Sequence, residues 1–191
     1  MNSKTIKYII IILLLPVVPL KATAQTGIYY STNGQLSSSL INQLYQDQRG
    51  FIWISTEFGL NKFDGTHFTH YKHIDNDSTS LINNHVRGVF EDSYRNLWIR
   101  CLGGLMLYHP ETDDFELIKI EGKEGRHVTN IMELHNGEVW GITTGDTIFR
   151  INLTQKVIEP IDEINRKLHL KSFSSIYEDT RRNLWFISET Q

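Results

Sequence analysis

The segment Leu81–Leu107, with the sequence LINNHVRGVFEDSYRNLWIRCLGGLML, decides the fold because related segments occur four times in the chain. Moving it back by 45 positions aligns it with the stretch LSSSLINQLYQDQRGFIWI, which begins at Leu36. Two further copies follow, so the four tryptophans of the 191-residue chain occupy one repeat position: Trp53, Trp98, Trp140 and Trp185. Repeats of about 40 to 50 residues with four strands each are typical of β-propeller blades.

Each repeat has the pattern of four short antiparallel strands. In the first copy, aromatic and β-branched residues in Phe51–Thr56 predict the second strand, and Asp64-Gly65 predicts a hairpin turn. We therefore predict an all-β fold of four-stranded antiparallel meanders, about three and a half blades that form an incomplete propeller. The predicted segments are a signal peptide 1–24, a lead-in 25–35, blade 1 36–79, blade 2 80–124, blade 3 125–169 and the truncated start of blade 4 170–191.

The turn between the first and second strands carries glycine in two copies but Arg95 and Arg182 in the other two, each followed by asparagine. Asparagine is the residue that best tolerates left-handed backbone after glycine. We therefore expect Asn96 and Asn183 to adopt the left-handed conformation. Arg95 and Arg182 are then expected to be solvated turn residues.

The four tryptophans lie mid-strand beside apolar neighbours, which indicates that all four pack in the core between adjacent blades. Rings used for sugar stacking would instead need to face a cavity. The acidic pairs Glu91-Asp92 and Glu178-Asp179 recur at the repeat period. This recurrence indicates a structural turn rather than an acid–base pair, so we expect no catalytic residues.

The first 24 residues have the three parts of a secretory signal. Lys4 and Lys7 precede the apolar run Tyr8–Leu20, and the small residues of Ala22-Thr23-Ala24 precede Gln25. The apolar run, about 13 residues with two prolines, is shorter than the roughly 20 residues that span a bilayer. We expect export and cleavage before Gln25, with an uncleaved membrane anchor as the alternative.

Charge and cysteine content exclude several classes of function. Three of the 19 basic residues lie in the leader, so the rest of the chain carries 16 basic and 22 acidic side chains and is a poor partner for nucleic acid.

Cys101 is the only cysteine, which excludes an internal disulfide. It is expected to be a small buried hydrophobe, with a reactive thiol as the alternative. His67, His70 and His73 are too widely spaced along one strand to share an ion. We expect no metal and no cofactor.

The motifs LYQDQRGFIWISTEFGL, VFEDSYRNLWIRCLGGL and IYEDTRRNLWFISET resemble the two-component regulator propeller repeat. This repeat builds the extracytoplasmic sensor region of hybrid two-component regulators of Bacteroidetes, and the resemblance covers about 31–191. It implies a sensor on the periplasmic side of the inner membrane, which responds to glycan-derived oligosaccharides and feeds a phosphorelay. The implied partners are an oligosaccharide, the rest of the receptor and a second receptor chain in a homodimer. The third copy departs most, with Leu134 in place of the usual aspartate.

Propeller ligands usually lie over the central channel, near the loops that join the second and third strands and the loops that join blades. Arg100 is a bidentate donor where other repeats carry serine or isoleucine, so it is a candidate contact, with a surface salt bridge as the alternative. An exposed phenylalanine in the corresponding loop of the first copy is a candidate for stacking on a sugar. The candidate ligand-binding residues are Arg100, Phe58, Glu57 and His85.

Two other functional classes stay open at this point. The chain is alternatively a stand-alone secreted propeller that binds protein or carbohydrate, or, less in keeping with its motifs, a propeller lyase or glycoside hydrolase. A seven-bladed wheel at this repeat length would need roughly 315 residues. We therefore expect the chain to be an N-terminal piece of a longer receptor whose histidine kinase lies elsewhere, so that the chain itself is not an enzyme.

Overall fold

The computed structural model describes residues 27–120, 127–144, 147–168 and 173–188. The expected signal peptide and its cleavage site lie outside these residues. The described part contains strands and one short helix, α1 Asp162–Lys167. The strands are β1 Ile41–Gln46, β2 Ile52–Thr56, β3 Gly59–Phe63, β4 Phe68–Tyr71, β5 Val86–Glu91, β6 Leu97–Cys101, β7 Gly104–His109, β8 Asp114–Ile120, β9 Val128–Glu133, β10 Val139–Thr143, β11 Ile148–Asn152, β12 Val157–Pro160, β13 Phe173–Glu178 and β14 Leu184–Ser188.

Consecutive strands pair antiparallel to form blades. Blade 1 is β1–β4, blade 2 is β5–β8, blade 3 is β9–β12, and β13 and β14 are the strands described for blade 4. The outer strands of blades 2 and 3 also pair in parallel, Val157 with Lys119 and Ile158 with Ile120, which joins these blades into one eight-stranded sheet. The all-β prediction of about three and a half propeller blades is confirmed.

Two of the four tryptophans lack the burial that the sequence predicts. Trp53 is 0% exposed and Trp98 is 1% exposed, whereas Trp140 is half-buried and Trp185 is 57% exposed. Three of the indoles pack toward the following blade: Trp53 with residues of blade 2, Trp98 with residues of blade 3, and Trp140 with β13 and β14. An indole of this position is therefore buried by its contacts with a following blade, and Trp185 does not show the expected core packing within the described residues.

Aspartates at the repeat period hold the turn that precedes each second strand. Asp92 accepts hydrogen bonds from the backbone N–H groups of Tyr94 and Asn96 at 3.0 and 2.9 Å, from the Asn96 amide, and from the Trp98 indole at 3.0 Å. Asp47 and Asp179 make equivalent bonds in blades 1 and 4. The carboxylates are structural, as their period predicts.

The left-handed residue of this turn does not move to asparagine. Arg95 and Arg182 have φ of 68° and 70°, at the position that Gly50 occupies with φ of 91°. The reason is that the asparagine side chain has another role: Asn96 donates its amide to Asp92 at 2.8 Å. The expectation for the asparagines is therefore wrong, and the arginines carry the backbone strain.

A glutamate clasp joins successive blades beside these turns. Glu91 Oε2 accepts the backbone N–H of Gln48 in blade 1 at 2.7 Å. Glu133 accepts the N–H of Ser93 at 2.8 Å, and Glu178 repeats the contact to blade 3. Because each glutamate precedes the turn of its own blade and caps the turn of the preceding one, the clasp fixes the spacing between blades.

The helix α1 is absent from the sequence-based prediction, which extends β to Ile161. Its acidic residues lie in the first turn and its basic residues in the last turn, the order that suits the helix dipole. Asn165 donates its amide to Ile148 O and accepts Ile148 N–H, both at 2.8 Å. Ile164 packs with the cluster between blades 3 and 4. The helix is stabilised by these tertiary contacts, which local sequence does not reveal.

Candidate functional site

The first strand of every blade contains a β-bulge at its second residue. Strand pairing skips one residue between Ile41 and Gln43, between Val86 and Gly88, and at the matching places in β9 and β13. A bulge re-aims the side chain of the extra residue. The bulged residues are Asn42, Arg87, Thr129 and Ser174.

Three of these bulged residues, from three different blades, line one cavity of about 320 Å³. We name it the axial cavity because first strands line the central channel of a propeller, and here β1 packs on β5 and β9 on β13. It lies at the end of the blades where the loops between second and third strands emerge. Its lining residues are Asn42, His85, Arg87, Arg100 and Thr129.

The loops at this end are pinned to the segments that join blades. The backbone N–H of Leu102, between β6 and β7, donates to His85 O at 2.9 Å, and Thr144 N–H donates to His127 O at 2.8 Å. In blade 1 the equivalent bond runs from Glu57 N–H to Leu40 O at 3.2 Å. These bonds place His85 beside the end of β6, where Arg100 lies.

Arg100 lies on β6 opposite Gly88 and is largely enclosed, so it is not the surface salt-bridging residue that the sequence left open. Its Nη1 donates to Thr129 O in blade 3 at 2.5 Å. Burial lowers the pKa of Arg100, and the charge of Arg87 lowers it further. Among the described residues its Nε is buried and has no hydrogen-bond partner.

Gly88 makes room for the Arg100 guanidinium. A Cβ at position 88 would stand 2.4 Å from Arg100 Nη2 and 2.2 Å from Gln43 Oε1. Gln43 is itself fixed, because its Oε1 accepts Val89 N–H at 2.6 Å. This close approach explains why the second copy has Gly88 at the repeat position where the first copy has Gln43.

Two histidines complete the electrostatics of the axial cavity. His127 Nδ1 accepts the N–H of Gly103 at 2.7 Å, so this nitrogen carries no proton. Burial lowers the pKa of His127, and the charges of Arg87 and His85 lower it further. Arg87 is therefore the common neighbour of Arg100 and His127, and the arrangement suits an acceptor-rich ligand.

The structure brings together two of the four predicted ligand-binding residues. Arg100 and His85 both line the axial cavity. Phe58 is 58% exposed in the β2–β3 loop, and Glu57 is half-buried beside it, but both belong to the corresponding loop of blade 1 and lie outside the lining. Sequence reasoning missed Asn42, Arg87 and Thr129. The irregular alternation at the start of each first strand was the available signal.

A second cavity, of about 340 Å³, lies at the opposite end of blades 2 and 3, beside the turns of β9–β10 and β11–β12. The one arginine in its lining already has a counter-charge, since Arg150 pairs with Glu159 at 3.1 Å. The three histidines of the β4 region also have separate partners: His67 contacts Thr66, His70 contacts Asn61 and His73 contacts Leu81 O. The axial cavity is the better candidate because neither of its arginines forms an ion pair with a carboxylate of the described residues.

The fold and this site define a β-propeller with a polar axial cavity. Residues 35–58 match the family model of the two component regulator propeller. A histidine kinase, P4, of Formosa agariphila is 46% identical over 46 residues, which cover 24% of this chain and 3% of that protein. The recognition of this repeat is therefore confirmed.

Solved structures carry the same fold. The extracellular domain of a hybrid two component system from B. thetaiotaomicron superposes with a TM-score of 0.71 at 24% identity, covering 84% of this chain and 24% of that one. Virginiamycin B lyase of Staphylococcus aureus superposes with a TM-score of 0.57 at 15% identity, covering 78% of this chain and 48% of that one. The chain thus spans under half of each. Within the described residues, no helix has the length and apolarity needed to cross a membrane.

Proposed function

We propose that this chain is an extracytoplasmic ligand-sensing propeller region of a hybrid two-component sensor, on the periplasmic side of the inner membrane. The observation that carries the proposal is the repeat at residues 35–58, which matches the two component regulator propeller. The likeness to a histidine kinase supports the same assignment. The rest of the receptor, with its phosphorelay, and a second receptor chain are the proposed protein partners.

The ligand is proposed to bind in the axial cavity. This cavity joins Asn42 of blade 1, Arg87 of blade 2 and Thr129 of blade 3, so one ligand contacts three blades at once. Hydroxyl groups of an oligosaccharide would meet the Asn42 amide, the Thr129 hydroxyl and the guanidinium groups. A ligand held this way changes the relative stability of blade orientations, which is what a sensor must transmit.

Isothermal titration calorimetry of the purified chain against oligosaccharides from a polysaccharide panel tests the proposal. We expect one class to bind and Arg87→Ala to weaken its binding at least tenfold. Arg181→Ala is the matched control, because Arg181 is an exposed arginine in the blade 4 turn. A folded chain that binds no member of the panel contradicts carbohydrate sensing through this region.

The same material separates the alternatives. Release of shortened products from the panel would favour a lyase or glycoside hydrolase over a sensor. Capture of one periplasmic protein at a fixed ratio, with no sugar bound, would favour a stand-alone protein-binding propeller. The likeness to a lyase fold alone does not favour catalysis, because one fold accommodates unrelated functions.

A further inference from the structure

The axial cavity concentrates positive charge that the described residues do not neutralise. Arg49 and Arg150 pair with carboxylates at 3.6 and 3.1 Å, but neither Arg87 nor Arg100 forms an ion pair within the described part of the chain. This lack is unexpected in a chain with more acidic than basic residues, 22 against 19. The two arginines also come from adjacent strands, at the bulge and opposite Gly88.

The hydrogen-bonding capacity of these arginines is only partly used. Arg87 Nε and Arg100 Nε are both buried and have no hydrogen-bond partner among the described residues. A buried donor without a partner destabilises the fold, and more so when the group is charged. Arg100 uses Nη1 on Thr129 O, which fixes the plane of its guanidinium. The Arg100 guanidinium is therefore positioned by the protein itself.

Burial lowers the pKa of Arg100, and the like charge of Arg87 lowers it further. His127 lies near Arg87 and His85, and among the described residues no carboxylate opposes the lowering of the pKa of Arg100 or of His127. An anion between the arginines would supply the missing counter-charge and remove the repulsion. Planar or tetrahedral oxyanions match the fork of a guanidinium.

We infer that the axial cavity is an oxyanion site, in which Arg87 and Arg100 bind a carboxylate, sulfate or phosphate group of the ligand. The inference rests on the proposed function only for the placement of that group on an oligosaccharide. His85 is the third side chain within reach of a bound anion at the rim, and Asn42 and Thr129 fix its orientation from the neighbouring blades. A neutral ligand leaves the guanidinium groups without a counter-charge and binds more weakly.

Titration of the purified chain with sodium sulfate, sodium phosphate, sodium glucuronate and glucose, at constant ionic strength, tests the inference. We expect at least one oxyanion to bind at least tenfold more tightly than glucose. Backbone amide shifts measured by NMR should change at Gly88 and Gly103, beside the cavity, and stay constant at Arg181. The three anions separate a carboxylate-bearing sugar from a sulfate or phosphate source.

Variants provide the second arm. Arg87→Gln and Arg100→Lys should each weaken oxyanion binding at least tenfold. Arg100→Lys keeps the positive charge but should still weaken binding, because an ammonium group lacks the paired N–H donors of a guanidinium. Gly88→Ala should have the same effect by displacing the Arg100 guanidinium. Arg181→Gln, with circular dichroism as the check on folding, should bind like the wild type.

Oxyanion binding by the folded wild type that survives Arg87→Gln and Gly88→Ala would overturn the assignment. So would the finding that none of the three oxyanions binds more tightly than glucose, or that no anion shifts the amide signals of Gly88 and Gly103. If oxyanions bind but no oligosaccharide does, the proposed sugar class fails and the oxyanion site stands. If a neutral oligosaccharide binds and no oxyanion does, the site assignment fails and carbohydrate sensing stands.

Discussion

Replacing Asp92 with asparagine tests whether the buried turn carboxylate stabilises blade 2. Asp92 is 0% exposed, and its carboxylate accepts two backbone N–H groups, the Asn96 amide and the Trp98 indole. In the variant, one oxygen still accepts the backbone N–H groups, but the other is replaced by an NH₂ group that faces two donors. Bonds to a charged acceptor contribute about 1.5–3 kcal/mol each, so losing two lowers the free energy of unfolding by about 3–6 kcal/mol.

A double-mutant cycle isolates the bond between Trp98 Nε1 and Asp92 Oδ2, which are 3.0 Å apart. The cycle compares the wild type, Asp92→Asn, Trp98→Phe and the double variant. We expect a coupling energy of about 1.5–3 kcal/mol. Urea unfolding followed by circular dichroism measures it, because removing an indole changes the fluorescence signal itself.

The same cycle on Asp179 and Trp185 is the matched control. Trp185 Nε1 also lies 3.0 Å from Asp179 Oδ2, but Trp185 is 57% exposed. Water replaces a lost bond at an exposed position, so the coupling there should be much smaller. Equal couplings in the two cycles would refute the reasoning. So would an Asp92–Trp98 coupling within the roughly 0.5 kcal/mol error of additivity.

Three further predictions concern stability. Arg95→Gly should raise the free energy of unfolding by about 1 kcal/mol, because it relieves the left-handed backbone at φ of 68°; a thermal melt that shows destabilisation contradicts this. Trp98→Ala should lower it by about 3–5 kcal/mol, as for other buried aromatics, and Trp185→Ala by much less, as compared by urea unfolding. Burial raises the pKa of Tyr71 and Tyr108, so the fold favours their neutral forms; their contribution is present below the unfolded value of about pH 10 and is lost as pH rises above it. In a pH titration, tyrosinate absorbance and the circular dichroism signal of the folded chain should therefore change together above about pH 10. The Tyr71→Phe, Tyr108→Phe double variant should lose less stability than the wild type over the same pH range.

The sequence could predict the blades because their signals are local. Asp64-Gly65 separates β3, which ends at Phe63, from β4, which begins at Phe68. The aromatic and β-branched second strands likewise need no tertiary information. The helix Asp162–Lys167 could not be predicted, because six residues are too few for a periodic pattern. The contact that stabilises it, between Asn165 and Ile148, joins it to a strand distant in sequence.

The burial of side chains could not be predicted as well as the strands. At the same repeat position, the indole of Trp98 is buried and that of Trp185 is exposed, because burial depends on contact with a neighbouring blade rather than on the residue type. Arg100 illustrates the same limit, since its enclosure comes from Thr129 in the next blade and from the missing side chain at Gly88. Neither contact is visible in the local pattern around residue 100.

The internal repeat itself separates scaffold from site. At the turn, three of four copies keep the same aspartate six residues before the tryptophan, and the third copy still bonds its indole through Glu138 at 3.1 Å. At the bulge, by contrast, the four copies carry four different polar residues: Asn42, Arg87, Thr129 and Ser174. The backbone of the bulge recurs in every blade, so the fold does not require a particular side chain there. Positions that share a backbone shape but differ in chemistry are free to make different contacts, and three of these four residues, Asn42, Arg87 and Thr129, line the axial cavity.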